Sequence, residues 1–327
     1  MLIDTNKNIP VIEKFNLEDT PRGSRKHYWL KIISDGFANP ICIPLMVMRG
    51  IKDGPVLAVT AAVHGNELNG ISVIQRLFSE VSDEELCGTI VAVPVVNVPA
   101  FIRKKRRFND GVDINHIMPG KANGNVSQVY AYRFMERFIK QIDYLLDLHT
   151  ASTGRVNSYY IRADMDLEKV KRMALLQNAD IIVHNPPSDG TLRGAADDLG
   201  IPAITLEVGN PSTFQKKLIR SGVEGVHNVL CDLKMIEDEI TPPEKETIIC
   251  ERSFWIYTDK GGLLSIHVDL RQIISKGTHI ATLRDIFGNK IQEYHTPEDG
   301  IVIGKSISPV NQSGGRILHL GILKKDA

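Results

Sequence analysis

Three short stretches of the chain carry residue types that can do chemistry together. In VHGNELNG (63–70), a histidine and a glutamate stand three positions apart at the end of an apolar run. In YLLDLHT (144–150), a second apolar run ends in His149, 82 positions after Glu67, with Asp147 two residues earlier on the same strand face. In AITLEVG (203–209), Glu207 interrupts an apolar strand. Imidazole nitrogens and a carboxylate are typical zinc ligands, and a catalytic zinc usually takes three protein ligands and leaves a position for water. His64, Glu67 and His149 could form such a set, with Asp147 orienting the His149 ring. A carboxylate buried at Glu207 is costly unless paired or functional, and taking a proton from water is one such function. Taken alone, H-x-x-E fits equally well a surface histidine beside a carboxylate favoured by a helix start.

These residues need a scaffold that brings strand ends to one edge. The run 55–63 (PVLAVTAAV), followed by helical spacing over 67–81, reads as a buried strand and a helix that Glu67 opens, with Gly65 allowing a sharp turn between them. Further strands are expected at 89–96, 144–148, 157–162, 180–183 and 203–208. Helices are expected at 130–142, 170–177 and 215–238, and a hairpin over 27–48 turning at Asp35-Gly36. Alternating strands and helices predict an α/β fold, a mostly parallel or mixed central sheet flanked by helices. Such sheets place their sites at strand C-termini. Near Thr241-Pro242-Pro243 the pattern becomes polar, and short strands with glycine turns follow. The predicted division is a catalytic domain over 1–240 and a small all-β domain over 241–327.

Composition narrows the function. The 39 Lys+Arg balance 39 Asp+Glu, which excludes a generally basic nucleic-acid binder. The run Arg103-Lys-Lys-Arg-Arg107 therefore reads as a solvated loop, not as a nucleic-acid patch. No apolar run is long enough to span a bilayer, and the first residues lack a secretory apolar core. Four scattered cysteines make no disulfide framework, so a reduced, cytoplasmic protein is expected. The partner expected is a small molecule, without membrane or nucleic acid, and a homo-oligomer is left open.

HGNELNG, DLHT and TLEVG, in this order, together with NVPAFIRKKRRFNDGVDINHIMPG, resemble the succinylglutamate desuccinylase/aspartoacylase family of zinc carboxypeptidase-like deacylases. The resemblance covers essentially the whole chain. It implies one zinc per chain on His64, Glu67 and His149, and Glu207 as general base. It implies Arg107 as the arginine on the scissile carbonyl, with Arg106 adjacent and the alignment open by one residue. Asn115 matches the substrate-binding Asn of an Asn-Arg pair, and Arg193 an arginine for a second carboxylate. The pair reads Asn115-His116 here, and histidine lacks the permanently charged fork of arginine. Arg155 or Arg162 could compensate. The family's catalytic tyrosine has two candidates, Tyr257 and Tyr294. The end of the chain resembles a biotinyl/lipoyl-like barrel-sandwich, but its turn RDIFGNK lacks the setting of a modifiable lysine, which favours a structural or site-covering role. The implied activity is hydrolysis of a small N-acyl amino acid or related amide. The alternatives are a zinc carboxypeptidase on short or modified peptides, or a silent binding protein.

Overall fold

Valine- and leucine-rich runs that alternate with amphipathic helices cannot bury themselves alone, and here they stack into three layers. The computed structural model describes residues 9–187 and 190–323. At the middle of the main sheet, Lys52–Ala61, Tyr144–His149 and Ala203–Val208 lie side by side and parallel, with Cys87–Val93 parallel on the outer side of Lys52–Ala61. Tyr159–Ala163 joins Ala203–Val208 antiparallel, so the sheet is mixed. The hairpin of Ser24–Ser34 and Pro40–Arg49 extends one side. On one face pack the helices Asn69–Glu80, Glu168–Leu175 and Lys216–Asp232; on the other, Val126–Arg137 and Leu192–Asp197. Asn125 caps Val126–Arg137 reciprocally with Gln128, which fixes its start four residues before the expected one.

After residue 240 the chain is all-β among the described residues, and it does not stand apart from the sheet. Ile248–Tyr257 pairs parallel with Ile181–His184, so the main sheet continues through Arg316–Leu323 and Gly300–Ser306. Gly300–Ser306 also pairs with Arg155–Asn157, a second seam between the two stretches. A separate four-stranded sheet lays Leu264, Ile280 and Leu283 against Val302, Leu318 and Leu320. No helix of the described residues is long and apolar enough to cross a membrane. The cysteines are free.

Candidate metal centre and active site

The strand Lys52–Ala61 stops just short of His64, and the helix begins at Asn69, not at Glu67. Glu67 thus lies in the connecting loop, where its N–H donates to the His64 carbonyl at 3.0 Å. Gly65 is required by close packing: a Cβ there would meet the backbone of Ala100 and Phe101 at 2.1 Å. Asn69 locks this turn to the end of the Glu207 strand, because its NH2 donates to the Val208 carbonyl at 2.7 Å and its oxygen accepts from the Gln215 N–H. Glu207 and His149 are register partners on neighbouring parallel strands, so their side chains leave the sheet on the same side.

His64, Glu67 and His149 converge. Nδ1 of His64 lies 2.9 Å from Glu67 Oε1, Nδ1 of His149 lies 3.0 Å from Glu67 Oε2, and the two Nδ1 atoms are 3.2 Å apart. Each ring is held from behind by a carboxylate: His64 Nε2 is 3.0 Å from Asp113 Oδ1, and His149 Nε2 is 2.8 Å from Asp147 Oδ2. Asp147 is itself fixed by the Thr60 hydroxyl at 2.7 Å. An ionised carboxylate only accepts, so each Nε2 carries a hydrogen, and the neutral form of each ring presents its Nδ1 lone pair inward. Two lone pairs and the Glu67 carboxylate therefore face one another across a space with no donor of their own. That donor set fits a divalent cation.

The charges here are buried and compensated. Glu67 is 1 % exposed. Burial alone would raise its pKa; positive charge carried by His64 and His149, which a bound cation would replace, outweighs that and holds it well below the usual carboxylate range. Its oxygens also accept from the Thr150 N–H and from Arg106 Nη1, both at 3.0 Å. Asp113 is likewise held low, His64 and Arg106 overcoming its burial. Glu207 goes the other way: burial raises its pKa, only partly offset by Arg162, whose Nε is 3.8 Å away, and by His149. A carboxyl tuned towards neutrality is suited to accept and return a proton.

These residues line a cleft of about 470 Å³. The arginine directed at the cluster is Arg106, not Arg107. Arg106 bridges Glu67, Asp113 Oδ2 at 2.9 Å and Ser152 at 2.8 Å, while Arg107 is exposed and donates back to the Gly111 carbonyl. Both arginines line the cleft, and Arg106 is the one whose guanidinium reaches the ligand cluster. Asn115 reaches the cleft, its side-chain oxygen accepting from the Leu192 N–H at 2.8 Å. His116 sits exposed at the rim, 3.8 Å from Asp113. Arg193 is buried with both terminal nitrogens on Asn185, each at 2.8 Å.

Neither tyrosine candidate reaches the cleft. Tyr294 donates to Asp259 at 2.7 Å in the separate sheet, and Tyr257 is half exposed. The tyrosine that lines it is the buried Tyr160, opposite Glu207 in register, with Arg162 donating to its oxygen at 2.9 Å. No motif marked Tyr160; its signal was its place on the strand beside Glu207. Trp255 and Arg316, from beyond residue 240, also line the cleft and were missed. His184 lies away from it, near Asp164 and Asp166.

Known proteins agree with this picture. Residues 53–233 match the succinylglutamate desuccinylase/aspartoacylase catalytic domain. The chain is 25% identical over 279 residues to the N-alpha-acetyl-L-2,4-diaminobutyric acid deacetylase of Halomonas elongata, covering 81% of each chain. It is 28% identical over 180 residues to the succinylglutamate desuccinylase of Pseudomonas paraeruginosa, spanning about half of that protein (54%) and 50% of this one. Among solved structures, the product-bound ectoine utilization protein EutE of Ruegeria pomeroyi shares the fold, with a TM-score of 0.84 at 23% identity over 92% of this chain and 96% of that one. His64, Glu67, His149 and Glu207 all fall inside the matched stretch, and the chain belongs to the succinylglutamate desuccinylase/aspartoacylase family.

Proposed function

We propose that this protein is a zinc-dependent hydrolase that cleaves the amide bond of a small N-acyl amino acid or related amide. The observation that carries the reading is the set of facing lone pairs on His64 and His149, closed by Glu67 and braced by Asp113 and Asp147. Zinc bound there would supply Lewis acidity, lowering the pKa of a water to about 7 and polarising a carbonyl. Glu207 takes the proton of the attacking water and returns it to the departing nitrogen. Arg106 lies against Glu67 at the same point and stabilises the oxyanion. Tyr160, held by Arg162, lines the cleft at the leaving group. Asn115 offers its NH2 group to a substrate carboxylate, with His116 at the rim beside it. Arg193, already committed to Asn185, acts by bracing that loop. The C-terminal strands form a barrel-sandwich-like unit that covers the site. The turn at 285–289 exposes Phe287 at its tip and no lysine, in keeping with cover and not with a carrier. We read the protein as cytoplasmic.

The test is metal analysis of protein purified without chelator, paired with hydrolysis of a panel of N-acyl amino acids. About one zinc per chain is expected, with turnover lost on chelation and restored by zinc. Full activity in metal-free protein would overturn the reading.

A further inference from the structure

Three of the chain's ten histidines gather on the separate four-stranded sheet, and none of the three lines the cleft. His279 opens the strand His279–Arg284 and faces His295, its register partner on Lys290–His295. Directly opposed residues of antiparallel strands hold their side chains side by side. The register slips between His279 and Ala281, so Thr282 comes to share that face, opposite Glu293. His267 follows the strand Gly262–Ile266 and joins from the other side, its N–H donating to the Ile280 carbonyl at 2.9 Å. The rings stand in a row with His279 in the middle, its centre 4.7 Å from that of His267 and 5.2 Å from that of His295.

We propose that His267, His279 and His295 bind a late first-row divalent metal ion, zinc, nickel or copper, at a site separate from the cleft. The Ala281 carbonyl can only accept and lies 3.1 Å from His279 Nε2, so that nitrogen carries the hydrogen and Nδ1 the lone pair. The Thr282 oxygen lies 2.9 Å from His267 Nε2 and 3.0 Å from His279 Nε2, and it has a lone pair for each. Nδ1 of neither ring has a hydrogen-bond partner among the described residues. One ring nitrogen tied to the protein and the other left open is how metal-binding histidines are held. Zinc–nitrogen bonds of about 2.0–2.1 Å at tetrahedral angles set neighbouring imidazole centres roughly 5 Å apart, which matches the row. His267 and His295 are exposed and can turn onto an ion that His279 anchors. Imidazole suits zinc, nickel and copper, whereas magnesium prefers oxygen. Once bound, the ion would tie the segment after Ile266 to both strands of the hairpin. The group of Asp164, Asp166 and His184 is the weaker candidate, because His184 Nδ1 already accepts from the Met165 N–H at 3.1 Å.

The experiment is equilibrium dialysis of the full chain against Zn2+, followed by metal analysis, with melting curves to check folding. Two ions per chain are expected in wild type and one in His149→Ala, which breaks the cluster in the cleft. Affinity for the remaining ion should fall at least tenfold when His279→Ala or His295→Ala is added, and dialysis against Mg2+ should leave none. If His279→Ala fails to fold, His267→Ala and His295→Ala, at exposed positions, decide in its place. Cu2+ bound to His149→Ala should show the hyperfine splitting of imidazole nitrogens in its electron paramagnetic resonance spectrum. No ion on His149→Ala, or an ion retained at full affinity without His279 and His295, would overturn the site. So would loss of the ion on His184→Ala alone. One ion in both wild type and His149→Ala, lost with His295→Ala, would keep this site and sink the zinc reading of the cleft instead.

Discussion

The floor and the rim of the cleft are built on opposite terms. At the floor, His64, Glu67, His149 and Asp147 are almost fully buried, and their outward polar atoms are held by Asp113, Thr60, Thr150 and Arg106, which leaves the facing Nδ1 atoms and the Glu67 carboxylate for a cation. At the rim, Arg107, His116 and Arg316 are exposed to water. Burying an unpaired carboxylate such as Glu67 costs many kcal/mol, so every neighbour of the floor is constrained to compensate it. The floor can therefore do one thing well, gathering positive charge at one point. The rim is free to vary, which suits it to discriminate between substrates.

The sharpest break in that contrast is Glu207→Gln, which keeps the shape of the floor but removes its proton acceptor. Turnover should fall by about 10²–10⁴-fold while the zinc content stays at the wild-type level. In the unmutated protein, burial favours the neutral acid, so the proton stays on Glu207 to a higher pH than on an ordinary glutamate. The active form is the carboxylate, and kcat/KM should decline as pH falls through that raised value. A mutant with near-normal turnover would take Glu207 out of the reaction. Next in size is the arginine pair. Arg106→Ala should cost about 10²-fold in kcat, as for loss of an oxyanion donor, and Arg107→Ala less than about threefold. The reverse order would return the role to Arg107. The smallest effect is expected behind the ligands. Asp113→Asn should weaken zinc by roughly 10–100-fold in a competition titration with a chromophoric chelator. Unchanged affinity would make Asp113 a partner of Arg106 alone.

How much of this could be read beforehand divides along the same line. The floor was legible because its ligands end apolar strands, and strand periodicity shows in sequence: His149 closes Tyr144–His149, and Glu207 lies inside Ala203–Val208. The helix after HGNE was legible too, although its start at Asn69 was not, since Asn69 spends its side chain on Val208 and Gln215. Arg106 and Arg107 could not be separated by spacing, because a loop has no period to say which side chain turns inward. Tyr160, Trp255 and Arg316 reach the cleft through strand pairing between distant segments, such as Tyr160 beside Glu207 and Tyr257 beside Arg316. No local pattern encodes that register. The reading of the chain after residue 240 as an all-β stretch agrees with the structure over the described residues 241–323. What the linker composition concealed is that this stretch continues the main sheet.

That continuation has a cost for anyone who trims the chain. Ile248–Cys250 covers the hydrogen-bonding edge of Ile181–Val183, and Tyr160, Ile181, Val183, Cys250, Ile301 and Ile303 share one small core. A fragment ending at the proline-containing segment would leave a bare apolar strand edge open to any passing β-strand, the usual seed of aggregation.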